Sequence, residues 1–342
     1  MTSTSTTTIA DLDERALIER IRARVPHTHA DLLIDIGDDA AVVRPARNRV
    51  EAVTTDMLVE GVHFRREWSS PHDIGAKAIA VNVSDLGAMG AEPRLATLSF
   101  ALPIDYLLSD FDALAEGAGE AAREAKLAIA GGNLTRSPGP LIVDVTAIGH
   151  VHARKVLRRD GARAGDEVYV TGTIGAAAAG LRWLEQRGMP APETAAWRAV
   201  RRACRPMATA RAGMALSRAG ASRAAIDLSD GLADGVRRLA EGSGCGIRID
   251  AAALPIDPAA AEVFGALGIE PVAAVVVGGD DYELLFTVPA RARGRFRAAR
   301  AHLGTTATRI GVVTAEPGLK IEGPGLAGID LAALGFDHFR PG

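Results

Sequence analysis

The chain is poor in aromatic residues, poorer still in cysteine, and has no long apolar run and no basic cluster. Aromatic side chains make up 4% of its 342 residues, so aliphatic packing must carry the core. Apolar residues still reach 48% against 24% charged, near globular averages, which leaves no case for disorder. The two cysteines, Cys204 and Cys245, show neither metal spacing nor a disulfide framework; they read as buried thiols in a reducing compartment, the cytoplasm. No segment approaches the roughly 18 apolar residues of a membrane helix. The Ser/Thr-rich start lacks the basic and apolar regions of a signal peptide, so no membrane partner is expected. Scattered Lys and Arg with a net charge of −3 argue against a nucleic-acid face. Also missing are the Gly-x-x-x-x-Gly-Lys-Ser/Thr loop, the protein-kinase catalytic loop, the Gly-x-Ser-x-Gly elbow and His-Glu-x-x-His. Any nucleotide must be held some other way.

What the chain does have is carboxylates in company. Between Thr54 and Gly90, Asp56, Glu60, His63, Asn82, Ser84 and Asp85 stand among apolar neighbours, and Gly37-Asp38-Asp39, Asp227 with Asp230, and Asp280 with Asp281 add further acidic groups. Two carboxylates about 4 Å apart repel by about 1 kcal/mol in water and about 4 kcal/mol at an effective dielectric of 20. A bound cation reverses that sign. Mg2+ takes hard oxygen ligands and shares itself between one or two carboxylates and a substrate phosphate, a role that Asp, Asn, Ser and Thr fit. The pattern therefore suggests a Mg2+-dependent phosphate site.

A chain of this length exceeds one ordinary core, so two mixed α/β domains are expected, 1–153 and 154–342, with the boundary at the turn-rich stretch near Arg154. In the first, Thr8-Ile9-Ala10-Asp11 reads as a capping box opening a helix that Pro26 ends. Strands are expected at Ala40–Val43 and Val50–Thr55. Ser70-Pro71-His72-Asp73 carries the cap, the first-turn proline and the acidic start of a helix reaching Gly90, on which Asn82 and Asp85 share one face. A strand at Leu95–Leu102, a helix at Asp110–Lys126, a short strand ending at Gly131-Gly132-Asn133 and a strand at Ile142–Val151 follow. The second domain is expected to hold a strand at Glu167–Thr171, Ala-rich helices to about Ala219, a strand at Ala224–Asp227 running into Ser229-Asp230-Gly231 and a helix, and a strand at Tyr282–Val288. No period of 20 to 50 residues recurs.

Each motif also has a plain structural reading. Gly37-Asp38-Asp39 can be an ordinary Asx turn. The two Gly-Gly pairs, at 131–132 and 278–279, suit phosphate approach but also common turns. Asp227-Leu-Ser-Asp230-Gly231 can simply cap a helix, yet it presents an oxygen cluster at a positive helix end. A lone His63 fits a structural role, and Arg159 beside Asp160 fits a surface charge.

Taken in order, Ile36-Gly-Asp-Asp-Ala40, Thr54-Thr-Asp-Met-Leu-Val-Glu-Gly-Val-His-Phe64, Lys77-Ala-Ile-Ala-Val-Asn-Val-Ser-Asp-Leu-Gly-Ala-Met-Gly90, Ile226-Asp-Leu-Ser-Asp-Gly231, Gly278-Gly-Asp-Asp-Tyr-Glu-Leu284 and the ending Gly335-Phe-Asp-His-Phe339 closely resemble the thiamine-monophosphate kinases of the aminoimidazole-ribonucleotide-synthetase-like superfamily. The resemblance implies a two-domain α/β fold whose N-terminal sheet joins its partner's in a homodimer. It also implies a transferase of thiamine diphosphate biosynthesis that passes the γ-phosphoryl group of ATP directly onto thiamine monophosphate. Carried over by position, it implies several Mg2+ ions on Asp39, Thr54, Thr55, Asp56, Asp85, Asn133, Asp227 and Asp230, with Asp85 and Asp230 central to catalysis. ATP would meet Gly132, Asn133, Arg159 and Ser229; thiamine monophosphate would meet His63, Asp280 and Phe336. The chain departs from the family pattern where Asn133 replaces a frequent Asp, Asp280 a frequent Glu, and Phe336 a Tyr or Trp. Asn133 keeps a carbonyl oxygen but removes a charge, which bears on metal affinity. Two other readings stay open: another ATP-using synthetase of the superfamily, and a non-catalytic nucleotide-binding dimer. Selenophosphate synthesis fits less well, because no cysteine precedes Cys204.

Overall fold

The computed structural model describes residues 7–323 and 326. They form two compact units, one from the chain up to Leu86 with Glu92–His150, the other from Gly87–Ala91 with Val151 onward. Each has its own sheet, and both mix helix and strand.

In the first unit the capping box forms, Thr8 N–H donating to Asp11 Oδ2 at 2.7 Å, but it closes a 3₁₀ turn over Ile9–Asp11 instead of opening the helix. Leu12 is extended, so α1 (Glu14–Arg22) restarts from a second cap, Asp13, whose Oδ1 accepts from Ala16 N–H at 2.8 Å. The short strands β1 (Leu32–Ile34) and β2 (Val42–Val43) pair antiparallel. The strand β3 (Val50–Val59) runs four residues beyond Thr55. Helix α2 (Pro71–Ala88) starts where its signals place it: Ser70 Oγ accepts from Asp73 N–H at 3.1 Å, and Pro71 fills the first position.

Strand β4 (Glu92–Pro103), helix α3 (Leu108–Glu124) and strands β5 (Ala128–Ser137) and β6 (Ile142–Val151) complete the unit. The sheet order is β3-β6-β4-β5. Strands β4 and β5 are parallel, with α3 as the crossover that parallel pairing needs. Strand β5 does not stop at the Gly-Gly pair; β4 continues to pair it, Leu98 against Gly132 and Ser99 against Asn133. Helices α2 and α3 touch backbone to backbone, since a Cβ on Gly75 would lie 2.0 Å from the Leu114 carbonyl oxygen.

The second unit follows in order as β7 (Glu167–Thr171), α4 (Ala176–Arg187), α5 (Ala195–Cys204), α6 (Ala210–Ala219), β8 (Ala225–Asp227), α7 (Leu232–Ser243), β9 (Gly246–Asp250), α8 (Pro258–Ala266), α9 (Pro271–Val277), β10 (Leu284–Val288), α10 (Arg293–Ala299), β11 (Ala307–Thr314) and β12 (Gly318–Glu322). Its sheet runs β12-β9-β11-β7-β10-β8, antiparallel except for β12 with β9. One core joins Val170, Ile226, Val236, Ile249 and Phe264, and a second joins Leu216, Leu284, Phe286 and Phe296. Tyr169, Phe286 and Phe296 pack with ring centroids 4.7 to 5.6 Å apart, concentrating part of the scarce aromatic content in one cluster. Strand β10 begins at Leu284, later than expected, because Asp280 and Tyr282 take left-handed φ of 66° and 53°. No single helix among the described residues is long and apolar enough to cross a membrane.

Candidate active site

Strand alternation sorts the two threonines of β3. Thr54 is half-buried on the face toward α2, and its Oγ1 donates to Asp85 Oδ2 in the last turn of that helix. Asp56, two residues on, shares that face. Thr55 is exposed on the opposite face, where its Oγ1 accepts from Thr146 Oγ1 at 3.1 Å and lies 3.4 Å from Asp144 Oδ1 of β6. Thr54 and Thr55 therefore cannot offer both side chains to one ion, and they would serve separate positions.

His63 sits in the turn after β3. Its Nδ1 accepts the Val59 N–H at 3.0 Å, which places the neutral ring's proton on Nε2. Lys77, buried in α2, reaches the His63 carbonyl oxygen at 3.3 Å. Asn82, fully buried, turns back on its own helix, donating to the Ala78 carbonyl at 3.0 Å, while its Oδ1 has no hydrogen-bond partner. It does not share the partly exposed setting of Asp85.

A cleft of about 610 Å³ brings Asp38 and Asp39 together with Ser99, Gly132 and Asn133. The acidic pair is exposed, and Asp38 Oδ1 accepts from Asp39 N–H at 2.9 Å, so the turn chemistry and the outward carboxylate of Asp39 coexist. Gly132 has a structural reason independent of any phosphate: a Cβ there would lie 1.8 Å from the Leu98 carbonyl oxygen of β4. Gly131 has open space in the same test.

In the second unit, two loops are tied together by their backbones. Asp227 ends β8 and is buried. Beyond it, the Ser229 carbonyl accepts from Asp280 N–H at 2.7 Å, the Leu228 carbonyl accepts from Tyr282 N–H at 2.9 Å, and Leu228 N–H donates to the Glu283 carbonyl at 2.8 Å. Gly279 is needed for this approach, since its Cβ would meet the Ser229 oxygen at 2.4 Å. Ser229, Asp230 and Asp280 thus share one frame, all half-exposed. Arg238 Nη2 lies 3.3 Å from Asp230 Oδ2 and also pairs with Asp234, which Arg237 holds from the other side. Arg159 is exposed, and Asp160 is taken by its other neighbour, Arg158, at 2.7 Å, which holds the Asp160 carboxyl below the usual carboxylate range. Phe336 lies outside the described residues.

Several participants have no strong sequence signal. Asp144 and Thr146 are visible only as same-face residues of an alternating strand, and Lys77 only as a charge inside an apolar helix. Asp281 is buried, and both its oxygens accept from Gly175 N–H, at 2.9 and 2.8 Å, at the start of α4. Burial pushes its carboxyl up to about 7. Burial likewise raises the Glu283 carboxyl, which accepts from Thr171 Oγ1 at 2.6 Å and faces Arg202 at 3.3 Å. A carboxyl raised on folding binds protons in the folded state that the unfolded chain has lost, so its stabilising contribution, complete below about pH 4, disappears as pH rises toward 7. Replacing Asp281 with the neutral, near-isosteric asparagine removes that slope. Thermal melts at pH 5 and pH 8 should show Asp281→Asn gaining on the parent chain at the higher pH; a constant difference would show that Asp281 does not titrate in this window.

The oxygen-only donors Asp39, Thr54, Thr55, Asp56, Asp85, Asn133, Asp227 and Asp230 suit Mg2+ by their chemistry. Among the described residues no three Asp, Glu, His or Cys side chains are placed to hold one ion. Mg2+ is commonly held by one or two carboxylates together with waters and substrate phosphates, a demand that donors of a single unit, such as Asp39 and Asn133 on the same cleft, can meet.

Residues 37–151 match the AIR synthase related protein N-terminal domain and residues 163–323 the corresponding C-terminal domain. The thiamine-monophosphate kinase of Escherichia coli (strain K12) is 38% identical over 330 residues, which cover 95% of this chain and 98% of that one. The crystal structure of thiamine-monophosphate kinase from Stenotrophomonas maltophilia K279a is 38% identical with a TM-score of 0.81, covering 91% of this chain and 97% of the other. The structure of AaThiL complexed with AMPPCP and TMP matches with a TM-score of 0.75 at 31% identity, over 98% of this chain and 100% of that one. Two family domains in order and identity along nearly the whole length leave one assignment: the chain belongs to the thiamine-monophosphate kinases, within the AIR synthase related proteins.

Proposed function

We propose that the chain carries out ATP-dependent phosphorylation of thiamine monophosphate to thiamine diphosphate by direct, in-line, Mg2+-assisted phosphoryl transfer. The observation that carries the reading is the tied pair of loops, in which Ser229, Asp230 and Asp280 share one backbone frame. Contacts assigned to nucleotide, metal and acceptor then move as one piece, which is what positioning catalysis requires. The acceptor is an ionised phosphate and needs no strong general base, so the work left to the protein is alignment and charge neutralisation. Mg2+, when bound, would supply that neutralisation of two approaching anions.

Asp39, Asp56, Asp85 and Asn133, with Asp227 and Asp230, would hold the ions, Thr54 and Thr55 serving different positions. Gly132, Asn133, Arg159 and Ser229 would hold ATP. His63 would present Nε2–H to the acceptor, with Asp280 and Phe336 contacting it as well. In this division residues 1–153 would supply most metal ligands and the dimer face, and residues 154–342 further nucleotide and acceptor contacts. The exposed face of β3 carries Val53 at 65% and Met57 at 52% exposure, apolar surface that suits a second copy of the chain. Sedimentation showing only monomer at micromolar concentration would refute the homodimer. Both cysteines are buried thiols outside any disulfide, as suits the reducing cytoplasm.

ADP release measured with and without thiamine monophosphate tests the reaction. The expected result is release that depends on this acceptor, stoichiometric thiamine diphosphate, and loss of both on chelation of Mg2+. Nucleotide binding with no acceptor-dependent turnover would overturn the proposal.

A further inference from the structure

Asp280 and Tyr282 are left-handed non-glycine residues, with φ of 66° and 53°, on either side of the buried Asp281. Such backbone is strained for a residue with a Cβ and persists only where surrounding structure enforces it. Here the enforcement is explicit. Asp280 N–H and Tyr282 N–H are tied to the 228–229 backbone at 2.7 and 2.9 Å, Asp281 is tied to Gly175, and the Tyr282 carbonyl accepts from Thr209 Oγ1 at 3.1 Å. The consequence of the double left-handed step is that the Tyr282 side chain folds back on its neighbour but one. Its hydroxyl donates to Asp280 Oδ1 at 3.2 Å, while the residue as a whole is 8% exposed.

We infer that Tyr282 is a positioning residue for the transfer reaction: its hydroxyl holds one oxygen of the Asp280 carboxylate and thereby sets the direction in which that carboxylate meets the acceptor. The inference rests on the reading of Asp280 as an acceptor contact. Towards an ionised carboxylate a phenol can only donate, so the contact, long at 3.2 Å, acts by orienting one carboxylate oxygen and not by unusual strength. The strained turn thus has a use: it brings a buried, rigid ring within reach of a half-exposed carboxylate.

Tyr282→Phe keeps the ring that fills the buried position and removes only the hydroxyl. The expected result is a KM for thiamine monophosphate raised about 3–10-fold, with KM for ATP and kcat within about twofold of the parent. In an Asp280→Asn background the same substitution should add little, because the carboxylate it orients is gone. If Asp280→Asn raises KM for the acceptor and Tyr282→Phe does not, the positioning role is overturned while the acceptor contact stands. If Tyr282→Phe has its full effect in the Asp280→Asn background, Tyr282 acts on its own and the inference fails. An unchanged KM in Asp280→Asn overturns the reading of Asp280 and, with it, this role. A general disturbance of the fold would move KM for ATP as well, which the expected result excludes.

Discussion

Asp85→Asn is expected to lower kcat by about 10²–10³-fold while leaving the melting temperature nearly unchanged; this magnitude is that of removing one preorganised charge-stabilising group from a transfer site. Asparagine conserves the volume and one oxygen, so the hydrogen bond from Thr54 Oγ1 can survive. What is lost is the negative charge. That charge does nothing for the helix: Asp85 lies in the last turn of α2, which ends at Ala88, where the macrodipole makes an anion unfavourable by a few tenths of a kcal/mol. On the proposed reading, a carboxylate stands where the fold would prefer a neutral or basic group because of the cation it would serve. Steady-state kinetics at saturating ATP and acceptor, beside thermal melts, checks both halves. Full activity in the variant would remove Asp85 from the metal-binding set, and a large drop in melting temperature would mean that the residue is structural.

Gly132→Ala is expected to destabilise the first unit by about 3 kcal/mol, at the upper end of the cost of forcing an extra methyl into packed structure. The added carbon would stand 1.8 Å from the Leu98 carbonyl oxygen and 2.8 Å from its carbon. Both obstructing atoms are backbone of the strand paired to Gly132 in register, so no rotamer change relieves them and β4 and β5 must separate. Gly131→Ala is the matched control, because its Cβ would meet nothing within 4 Å; it should cost less than about 1 kcal/mol or stabilise slightly by restricting the unfolded chain. Urea denaturation of the two variants decides the matter. Equal midpoints would show that the contact between the strands does not set the requirement for glycine at 132. Because Gly132 and Asn133 line the same cleft, the destabilised variant should also bind nucleotide more weakly.

By itself the sequence determined the family, the mixed α/β architecture and the elements whose signals are local. Helix α2 is legible in Ser70, Pro71 and Asp73 because capping involves residues within one turn of each other. Strand β6 is legible at both ends because its alternation of Val143, Val145 and Ala147 with Asp144 and Thr146 is itself the two faces of a strand. The start of α1 is not legible in sequence because two caps compete within six residues, and only the extended Leu12 between them selects Asp13. The tertiary structure decided everything that depends on what lies across from a residue. It separated Thr54 from Thr55, and it showed that Gly132 answers to a neighbouring strand. It also told apart two identical tripeptides. Gly37-Asp38-Asp39 leaves both carboxylates exposed in a cleft, whereas Gly279-Asp280-Asp281 turns one half outward and buries the other against the start of α4. A carboxylate's protonation and its partners are set by the dielectric and the donors around it, and in a folded chain those come from residues more than a hundred positions away.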